Sequence, residues 1–411
     1  MKQQNIALLH YSCPPVVGGV EEIIRQQSFL FQRNYYPVKI FAGIGNQFNP
    51  NVAVEINPIL SSRHPKILRL QKGLLSYSDE LGAVAHEIYN YLAKTLAHFD
   101  ILIAHNVLTM PYNLPLTMAI HKLARSNPIK VIAWNHDSPY FYDEIPNSLH
   151  HKPWNMLKKY HPEIHYVTIS ESRKQQFQQL FGEKAQLHVI SNGIDPIQFF
   201  RLDAQTVRFI HECNLFASEF IMVQPSRLHP RKNIELSIQV VQALQKKGLH
   251  ARLLLTGAHD PHEAKNMRYL NKIKKLSQQL NVDKDILIIA DYIFTSGQQI
   301  FPDRILMRDL YLIADLLFLP SIQEGFGIPL LEAGMIKLPI ACSNIPPFKE
   351  IGAENVCYFS LNETPQEIAD KIMHYVSVLP PHQMFRNVMQ DYVWDTIFQQ
   401  ALSPLLEKIT Q

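Results

Sequence analysis

Two carboxylates enclose a pair of glycines in one short stretch of the sequence. Glu324 directly precedes Gly325, Gly327 follows two residues later, and Glu332 lies eight residues after Glu324. Glycine leaves backbone N–H groups uncovered, and such groups near a helix N-terminus attract anionic or oxygen-rich ligands. Eight helical steps would separate the two carboxylates by ~12 Å along the axis, and a loop makes that separation adjustable. The spacing predicts a ligand loop whose carboxylates grip two hydroxyl-bearing parts of one extended ligand.

The residues around these carboxylates predict the elements that position them. The apolar run at residues 316–319 is typical of a buried parallel strand, Pro320 ends it, and Pro329 suits the first turn of a helix. The stretch is therefore predicted to be a strand, a ligand loop and a helix. The alternative is an ordinary connection in which the glycines only turn the chain and the glutamates are solvated.

Two cations follow another predicted strand, at residues 220–225. Arg227 leaves the strand and Lys232 enters the next helix, so both can converge on the space between them. A guanidinium and an ammonium that are held in place bind an anionic group such as a phosphate and stabilise charge that develops on it. Basic residues in a loop are also often only solvated, and this alternative stays open.

Polar residues close two strands predicted in the first half. His136 follows the strand at residues 131–135, and His105 with Asn106 ends the strand at residues 100–105. An imidazole can both donate and accept, so it can hydrogen-bond or polarise a sugar hydroxyl. His105 and Asn106 are weaker candidates for contact with a ligand, and a single histidine is more often structural.

A glycine pair, Gly18 and Gly19, separates the first predicted strand at residues 5–10 from a helical pattern. A strand, a glycine loop and a helix start suit contact with a phosphate or a sugar. A structural turn explains the same pattern equally well.

Strands alternate with helices in both halves of the chain, which predicts an α/β fold with parallel sheets covered on both faces. Further strands are predicted at residues 38–42, 52–56, 165–170, 187–190, 251–257, 285–290, 339–342 and 356–359. Because 411 residues exceed what one core usually serves, two domains are expected. The turn residues at 191–196 place the boundary after residue 195. A C-terminal helical pattern is assigned to residues 388–411.

The pattern Glu-Gly-Phe-Gly-x-Pro-x-x-Glu-Ala at residues 324–333, with Arg-x4-Lys about ninety residues earlier, resembles family-4 retaining glycosyltransferases of the GT-B fold. The resemblance implies two Rossmann-like doubly wound domains that face a central cleft. The N-terminal domain, residues 1–195, would serve the acceptor, and the C-terminal domain, residues 196–387, would bind the nucleotide sugar. The helix at 388–411 would cross back to the N-terminal domain.

The resemblance also implies a role for each site residue. Glu324, Gly325, Phe326 and Gly327 would hold the donor sugar, and Glu332 would bind the ribose. Arg227 and Lys232 would clamp the diphosphate, and Gly18 and Gly19 would touch it from the other domain. His136 would contact the sugar, and His105 and Asn106 would line the acceptor side. No Asp-x-Asp motif follows a predicted strand, so no metal is expected.

The implied reaction moves a hexose from a UDP- or GDP-linked donor to a hydroxyl acceptor with retention at the anomeric carbon. The acceptor would be a sugar, a lipid-linked sugar or a small molecule. Two places depart from the family pattern, Gly257-Ala258-His259 and Asp291. Both lie near the nucleotide in the family, so they leave the identity of the base open.

Composition indicates which binding partners and which cell compartment to expect. A net charge of +3 without a nucleic-acid motif excludes nucleic acid as the expected partner, and four cysteines without metal spacing favour the reducing cytoplasm. Basic residues mixed with apolar ones at residues 63–72 and 150–161 suggest a peripheral contact with the inner membrane face, although a solvated basic surface explains them as well.

Two other functions use the same residues. A glycoside hydrolase would employ Glu324 and Glu332 as acid and base, but it leaves the arginine and lysine without a role. A non-catalytic binding subunit would need neither carboxylates nor cations to be kept intact.

Overall fold

The computed structural model describes residues 3–72, 78–126, 128–257 and 264–410. The chain divides into two compact units, Met1–Asp195 with Asp391–Gln411, and Pro196–Gln390. The C-terminal segment of the first unit begins at Asp391, the last residue of the helix Pro380–Asp391.

In the described part of the first unit, seven parallel strands form one sheet in the order β3-β2-β1-β4-β5-β6-β7. The strands are β1 Ile6–Ser12, β2 Val38–Ile44, β3 Ala53–Ile56, β4 Ile101–His105, β5 Lys130–Asn135, β6 Ile164–Thr168 and β7 Leu187–Val189. The helices are α1 Gly19–Arg33, α2 Pro65–Lys72, α3 Ser78–Thr95, α4 Leu114–Ser126 and α5 Glu171–Phe181. Each predicted strand of this half is present within two residues of its predicted ends.

Helices cover both faces of this sheet because successive side chains of a strand point to opposite faces. Ile6 and Leu8 belong to one core and Ala7 and Leu9 to the other, and all four are fully buried. Such two-sided burial explains why β1, β4 and β5 are almost wholly apolar.

Within the residues of the second unit that the structure describes, six strands form a parallel sheet in the order β10-β9-β8-β11-β12-β13. They are β8 Phe220–Gln224, β9 Ala251–Leu255, β10 Ile286–Ile288, β11 Leu316–Leu319, β12 Ile340–Ser343 and β13 Cys357–Phe359. The helices are α6 Pro196–Phe200, α7 Ala204–Cys213, α8 Ile234–Lys246, α9 Ala264–Gln279, α10 Arg304–Ile313, α11 Ile328–Met335, α12 Pro346–Gly352, α13 Pro365–Ser377 and α14 Pro380–Asp391.

The chain ends in a helical segment that belongs to the first unit. It comprises α15 Trp394–Ile397, a wider π-helical turn at Phe398–Leu402, and α16 Ser403–Thr410. Trp394 is fully buried in the same core as Ile6 and Leu8, and its indole Nε1 donates to Gln26 Oε1 at 2.5 Å. The predicted C-terminal packing helix is therefore an integral part of the first core.

Both sheets are doubly wound, which confirms the predicted fold class. The chain starts at a central strand, runs to one edge, and returns to continue on the other side of that central strand. The order therefore reverses between β1 and β4 and again between β8 and β11. Ligands of such sheets bind beyond the carboxyl ends of the strands at these reversals. Among the described residues, no helix is both long and apolar enough to cross a membrane.

Candidate active site

The two loops of the second unit that carry the predicted charged residues lie side by side. β8 and β11 pair directly, with Leu316 opposite Met222 and Leu317 opposite Val223. The loops that follow them are joined by a hydrogen bond of 2.8 Å from Ile322 N to the carbonyl of Arg231. The reversal of strand order thus brings together residues about ninety positions apart in sequence.

Lys232 and Glu324 form an ion pair at the meeting point of these loops. Lys232 Nζ donates to Glu324 Oε1, and Arg231 Nη1 lies 3.9 Å from Glu324 Oε2. The side chains of Lys232 and Glu324 are only 16% and 13% exposed, so water screens the pair weakly. Two of the residues predicted to act on one donor are therefore in direct contact.

Serine and glutamine side chains fix the positions of the two charged residues. Ser321 Oγ donates to Glu324 Oε1 at 2.8 Å, and the Ser321 carbonyl accepts from Ser343 Oγ at 2.6 Å. On the other loop, Gln224 Nε2 donates to the Lys232 carbonyl at 2.9 Å, and Ser237 Oγ donates to Gln224 Oε1 at 2.6 Å. The sequence does not single out these residues, because nothing in their spacing distinguishes them from ordinary turn and strand residues.

A cavity of about 250 Å³ opens beside the ion pair. It is lined by Pro225, Lys232, Leu319, Glu324, Phe326, Gly327, Ile328, Pro329 and Phe348. The cavity combines a cation, a carboxylate and apolar walls at the N-terminus of α11. This arrangement suits a ligand with an anionic group and hydroxyl groups.

The two loop glycines have different structural roles. Gly327 has φ +119°, and a Cβ there would lie 3.1 Å from the Phe348 ring. Gly325 has no atom within 4 Å of an added Cβ. Gly327 is therefore required by the turn into α11, whereas the space at Gly325 is open to a ligand.

Three site residues predicted in the second unit, Arg227, Gly325 and Glu332, are not among the residues that line this cavity. Glu332 Oε2 accepts from Tyr311 OH at 2.7 Å, and burial together with this bond raises the pKa of Tyr311. Arg227 is exposed, and among the described residues no ion pair to it is found. The structure brings Lys232, Glu324, Phe326 and Gly327 to one cavity, while the roles of Arg227 and Glu332 stay predictions.

A larger cavity of about 950 Å³ lies at the opposite end of the strands. It includes Ala314, which lies just before β11, and Leu338 and Pro339, which precede β12. Its walls are predominantly apolar, including Leu331 and Met335. Because it offers few groups for a phosphate or a sugar, we place the candidate active site at the smaller, charged cavity.

In the first unit, His136 lies at the carboxyl end of β5, next to β4. Its ring Nε2 is 3.3 Å from His105 Nδ1, and its Nδ1 is 3.4 Å from Asn192 Nδ2. Burial, followed by the nearby His10, lowers the pKa of His136 to about 3. The imidazole is therefore neutral at pH 7, with one donor and one acceptor nitrogen.

The structure corrects the predicted acceptor role of His105 and Asn106. His105 is fully buried, with its ring against His136, so its side chain offers no surface to an acceptor. Asn106 Oδ1 accepts from the backbone N–H groups of His136 and Asp137 at 3.1 and 2.9 Å. Both residues instead support the turn that carries His136.

Gly18 and Gly19 begin α1, as predicted. A Cβ at Gly18 would lie 2.1 Å from Glu21 Oε2, and Glu21 Oε1 accepts from Ser12 Oγ at 2.5 Å. Gly18 therefore makes room for a carboxylate of its own helix, whereas a Cβ at Gly19 would meet no atom within 4 Å. Contact of this pair with a phosphate stays a prediction.

Two family models match adjacent parts of the chain. The model described as Glycosyltransferase Family 4 matches residues 17–198, and the one described as Glycosyl transferases group 1 matches residues 208–387. Together they cover most of both doubly wound units and the loops that carry Lys232 and Glu324. The chain belongs to family 4 of the GT-B glycosyltransferases.

Similar proteins include several that carry mannosyl in their names. The mannosylglucosylglycerate synthase of Petrotoga mobilis is 25% identical over 67% of this chain and 66% of its own length. The serotype-specific mannosyltransferase WbdA of Escherichia coli is 30% identical over 39% of this chain and 18% of its own length. The chain thus spans less than two thirds of the length of these curated relatives.

Solved structures of glycosyltransferases align over the whole chain at low similarity. The glycosyltransferase of Rickettsia africae is 18% identical and covers 100% of both chains, with a TM-score of 0.40.

The two departures from the glycosyltransferase pattern fall in different parts of the structure. Ala258 and His259 lie outside the described residues, and Gly257 has φ +56°. Asp291 follows β10 and forms an ion pair with Lys274 Nζ.

The basic residues of α2 are partly neutralised within the first unit of this glycosyltransferase. Lys66 Nζ lies 2.8 Å from Glu87 Oε2, and Arg69 is paired with Glu80. Both carboxylates belong to α3, so these two cations are less available to anionic lipid than the sequence indicated. Peripheral membrane contact stays a prediction.

In the portion of the chain that the structure describes, no three residues of the types His, Cys, Asp and Glu are grouped to hold a metal ion.

Proposed function

We propose that this protein is a retaining, metal-independent glycosyltransferase that moves a hexose from a nucleotide diphosphate sugar to a hydroxyl acceptor. The observation that carries the proposal is the ion pair between Lys232 and Glu324 beside the cavity at the N-terminus of α11. Family membership supports the same reaction class.

The ion pair contains a cation for the diphosphate of a nucleotide sugar and a carboxylate for its sugar hydroxyls. The ammonium of Lys232 would bind the diphosphate, whose charge grows as the bond to the sugar breaks. The carboxylate of Glu324 would accept hydrogen bonds from sugar hydroxyls, and the open N–H groups at Gly325 would add to them. Each residue thus keeps the other in place until the donor binds. The ammonium would then contact a phosphate, and the carboxylate would contact a sugar hydroxyl.

The proposed course is front-face attack. The acceptor oxygen bonds to the anomeric carbon on the face from which the diphosphate departs, and the acceptor proton passes to a departing phosphate oxygen. No enzyme nucleophile is needed, and the diphosphate leaves with the electron pair of the broken bond. His136 would contact the sugar as a neutral hydrogen-bonding group, and Glu332 would bind the ribose.

The donor that should be tested first is mannosyl-linked. Relatives named as mannosyltransferases and as mannosylglucosylglycerate synthases support this choice over a glucosyl donor. The acceptor, whether a sugar, a lipid-linked sugar or a small molecule, stays open.

The decisive experiment measures release of nucleotide diphosphate with and without hydroxyl acceptors. We expect release from GDP-mannose or a UDP-sugar that requires an acceptor, persists in EDTA, and gives a product with the anomeric configuration of the donor by proton NMR. Hydrolysis of a simple glycoside without nucleotide would favour the hydrolase alternative. Saturable binding of the donor without turnover for any acceptor would favour a binding subunit.

A further inference from the structure

Three histidines lie at or near the carboxyl ends of adjacent strands, at the strand reversal of the first unit. His10 is on β1, His105 on β4, and His136 follows β5, with β4 between the other two strands. His10 Nδ1 lies 2.7 Å from the His105 carbonyl, and the rings of His105 and His136 are 5.6 Å apart. Protonated histidines this close would repel one another, which favours neutral rings. The hydrogen bonds of each neutral ring then indicate which of its two nitrogens carries the proton.

The amide of Asn192 determines which nitrogen of His136 carries the proton. In the amide orientation of this structure, Asn192 Nδ2 faces His136 Nδ1 at 3.4 Å and donates to it, while Asn192 Oδ1 is buried without a partner among the described residues. A neutral imidazole has one N–H, which is then Nε2–H, and it donates to His105 Nδ1 at 3.3 Å. The proton of His105 therefore lies on its own Nε2, which is buried without a partner among the described residues.

The same contact disfavours the imidazolium form of His136. A protonated His136 would point a second N–H at the Asn192 amide nitrogen, which cannot accept. Burial acts in the same direction and lowers the pKa of both His136 and His105. Asn192 thus disfavours a proton on Nδ1 of His136, while His105 accepts the proton that lies on Nε2.

Other titratable groups around these rings are already occupied. On α1, Glu21 accepts from Ser12 Oγ at 2.5 Å. On the turn after β5, Asp137 lies 3.1 Å from Arg173 of α5 and accepts from Tyr142 OH at 2.7 Å. The remaining neighbour, His10, is bonded through Nδ1 to the His105 carbonyl.

We infer that Asn192 and His105 are positioning residues that hold His136 neutral, in the Nε2–H tautomer, at the place where it meets the donor sugar. This role deepens the proposed function and depends on it only for the sugar contact. A neutral imidazole keeps its hydrogen-bonding pattern across the physiological pH range. Protonation of His136 should therefore not lower the rate of sugar transfer toward the acidic end of that range.

The test is NMR of the full-length chain with ¹⁵N-labelled histidine. The His136 resonances are assigned by their absence in His136→Asn. We expect a single Nε2–H tautomer that does not titrate between about pH 5 and pH 8, the range in which an ordinary histidine does. A titration midpoint near that of free histidine, or a mixture of tautomers, would overturn the inference.

Two variants test each positioning residue. Asn192→Asp replaces the donating amide with a carboxylate, so His136 should become protonated within that pH range. His105→Phe removes the acceptor for Nε2–H and should lose the single tautomer, whereas His105→Asn keeps an acceptor near Nδ1 and should restore it. Unchanged His136 spectra in folded Asn192→Asp would contradict the inference even if the His105 variants fail to fold.

An activity measurement then separates this inference from the proposed function. If donor turnover is found, Asn192→Asp should show an acid limb in its pH profile that the parent protein lacks. If no donor is turned over, the proposed function fails while the NMR result still decides the tautomer.

Discussion

Lys232 and Glu324 depend on each other, because each charge is mostly buried and each is the other's principal partner. Removing one partner of such a pair leaves the other charge uncompensated. For a diphosphate leaving group, loss of a preorganised charge also removes transition-state stabilisation. The residue that most directly tests the site is therefore Lys232.

We expect Lys232→Ala to lower kcat by about 100-fold or more, as loss of one charge-stabilising group does. The measurement is acceptor-dependent release of nucleotide diphosphate under saturating donor. Lys246→Ala is the matched control, because Lys246 is an exposed lysine at the end of α8, which begins just after Lys232. Near-normal turnover in folded Lys232→Ala would remove this residue from the diphosphate clamp.

The loop glycines provide a second pair of residue-scale variants. Gly327→Ala places a Cβ in a left-handed conformation and 3.1 Å from the Phe348 ring. We expect a loss of about 1–3 kcal/mol in unfolding free energy. Gly325→Ala should change stability by less than about 0.5 kcal/mol, because no atom lies near the added methyl group.

The measurement for this pair is urea unfolding combined with donor binding. If Gly325 faces the sugar as proposed, its alanine variant should weaken donor binding while stability is retained. Equal stability of the two variants would show that the turn at Gly327 tolerates a side chain.

At the scale of elements, a buried ion pair joins α14 to the beginning of β11. Asp315 is fully buried, accepts from Ile221 N at 2.7 Å, and lies 3.2 Å from Arg386 Nη1. Burial raises the pKa of Asp315 to about 6, although Arg386 opposes this shift. Since β11 leads directly into the ligand loop, this pair supports the strand that carries the site.

We expect Arg386→Met to destabilise the second unit by about 3–5 kcal/mol, because it leaves a buried carboxylate without its cation. Arg304→Met is the control, since Arg304 is an exposed arginine at the start of α10. Hydrogen exchange in peptides from β8 and β11 measures the effect within this unit. Equal protection in the two variants would show that Asp315 is satisfied by the backbone alone.

Local sequence patterns predicted the strands better than they predicted the site. Leu316–Leu319 has its predicted bounds, because a short apolar run between turn residues has few alternatives. The contact between Lys232 and Glu324 depends on the pairing of β8 with β11, which no local pattern contains. The family resemblance, not the spacing, brought these two residues into one prediction.

The buried histidine illustrates a second limit of the sequence. His105 and His136 both follow apolar strands, and nothing in the sequence distinguishes a ring that faces a ligand from one that lies behind it. Burial and the ring contact make that distinction in the structure. The assignment of His105 to the acceptor side failed for this reason.

At the scale of the whole molecule, ligand binding should appear as stabilisation of the folded chain. A donor at 100 times its Kd adds about 2.7 kcal/mol to the folded state. Thermal-shift measurements with GDP-mannose, UDP-glucose and their free nucleotides should therefore raise Tm selectively for one nucleotide. The shift should be smaller in Lys232→Ala, and an equal shift in that variant would place the diphosphate elsewhere.

The C-terminal segment makes the first unit depend on both ends of the chain. Trp394 is fully buried, and its backbone N–H donates to Ile194 O at 3.2 Å. Its ring packs so closely on Gly193 that a Cβ at Gly193 would lie 2.8 Å from a ring carbon. We expect Trp394→Ala to lower the unfolding free energy of this unit by about 3–5 kcal/mol, as large-to-small core substitutions do.

The other tryptophans, Trp134 and Trp154, belong to the same unit, so their fluorescence reports its unfolding in urea. Tyr392→Ala is the control, because this aromatic side chain is 45% exposed. Equal urea midpoints for the two variants would show that the core of the first unit is stable without the packing of Trp394.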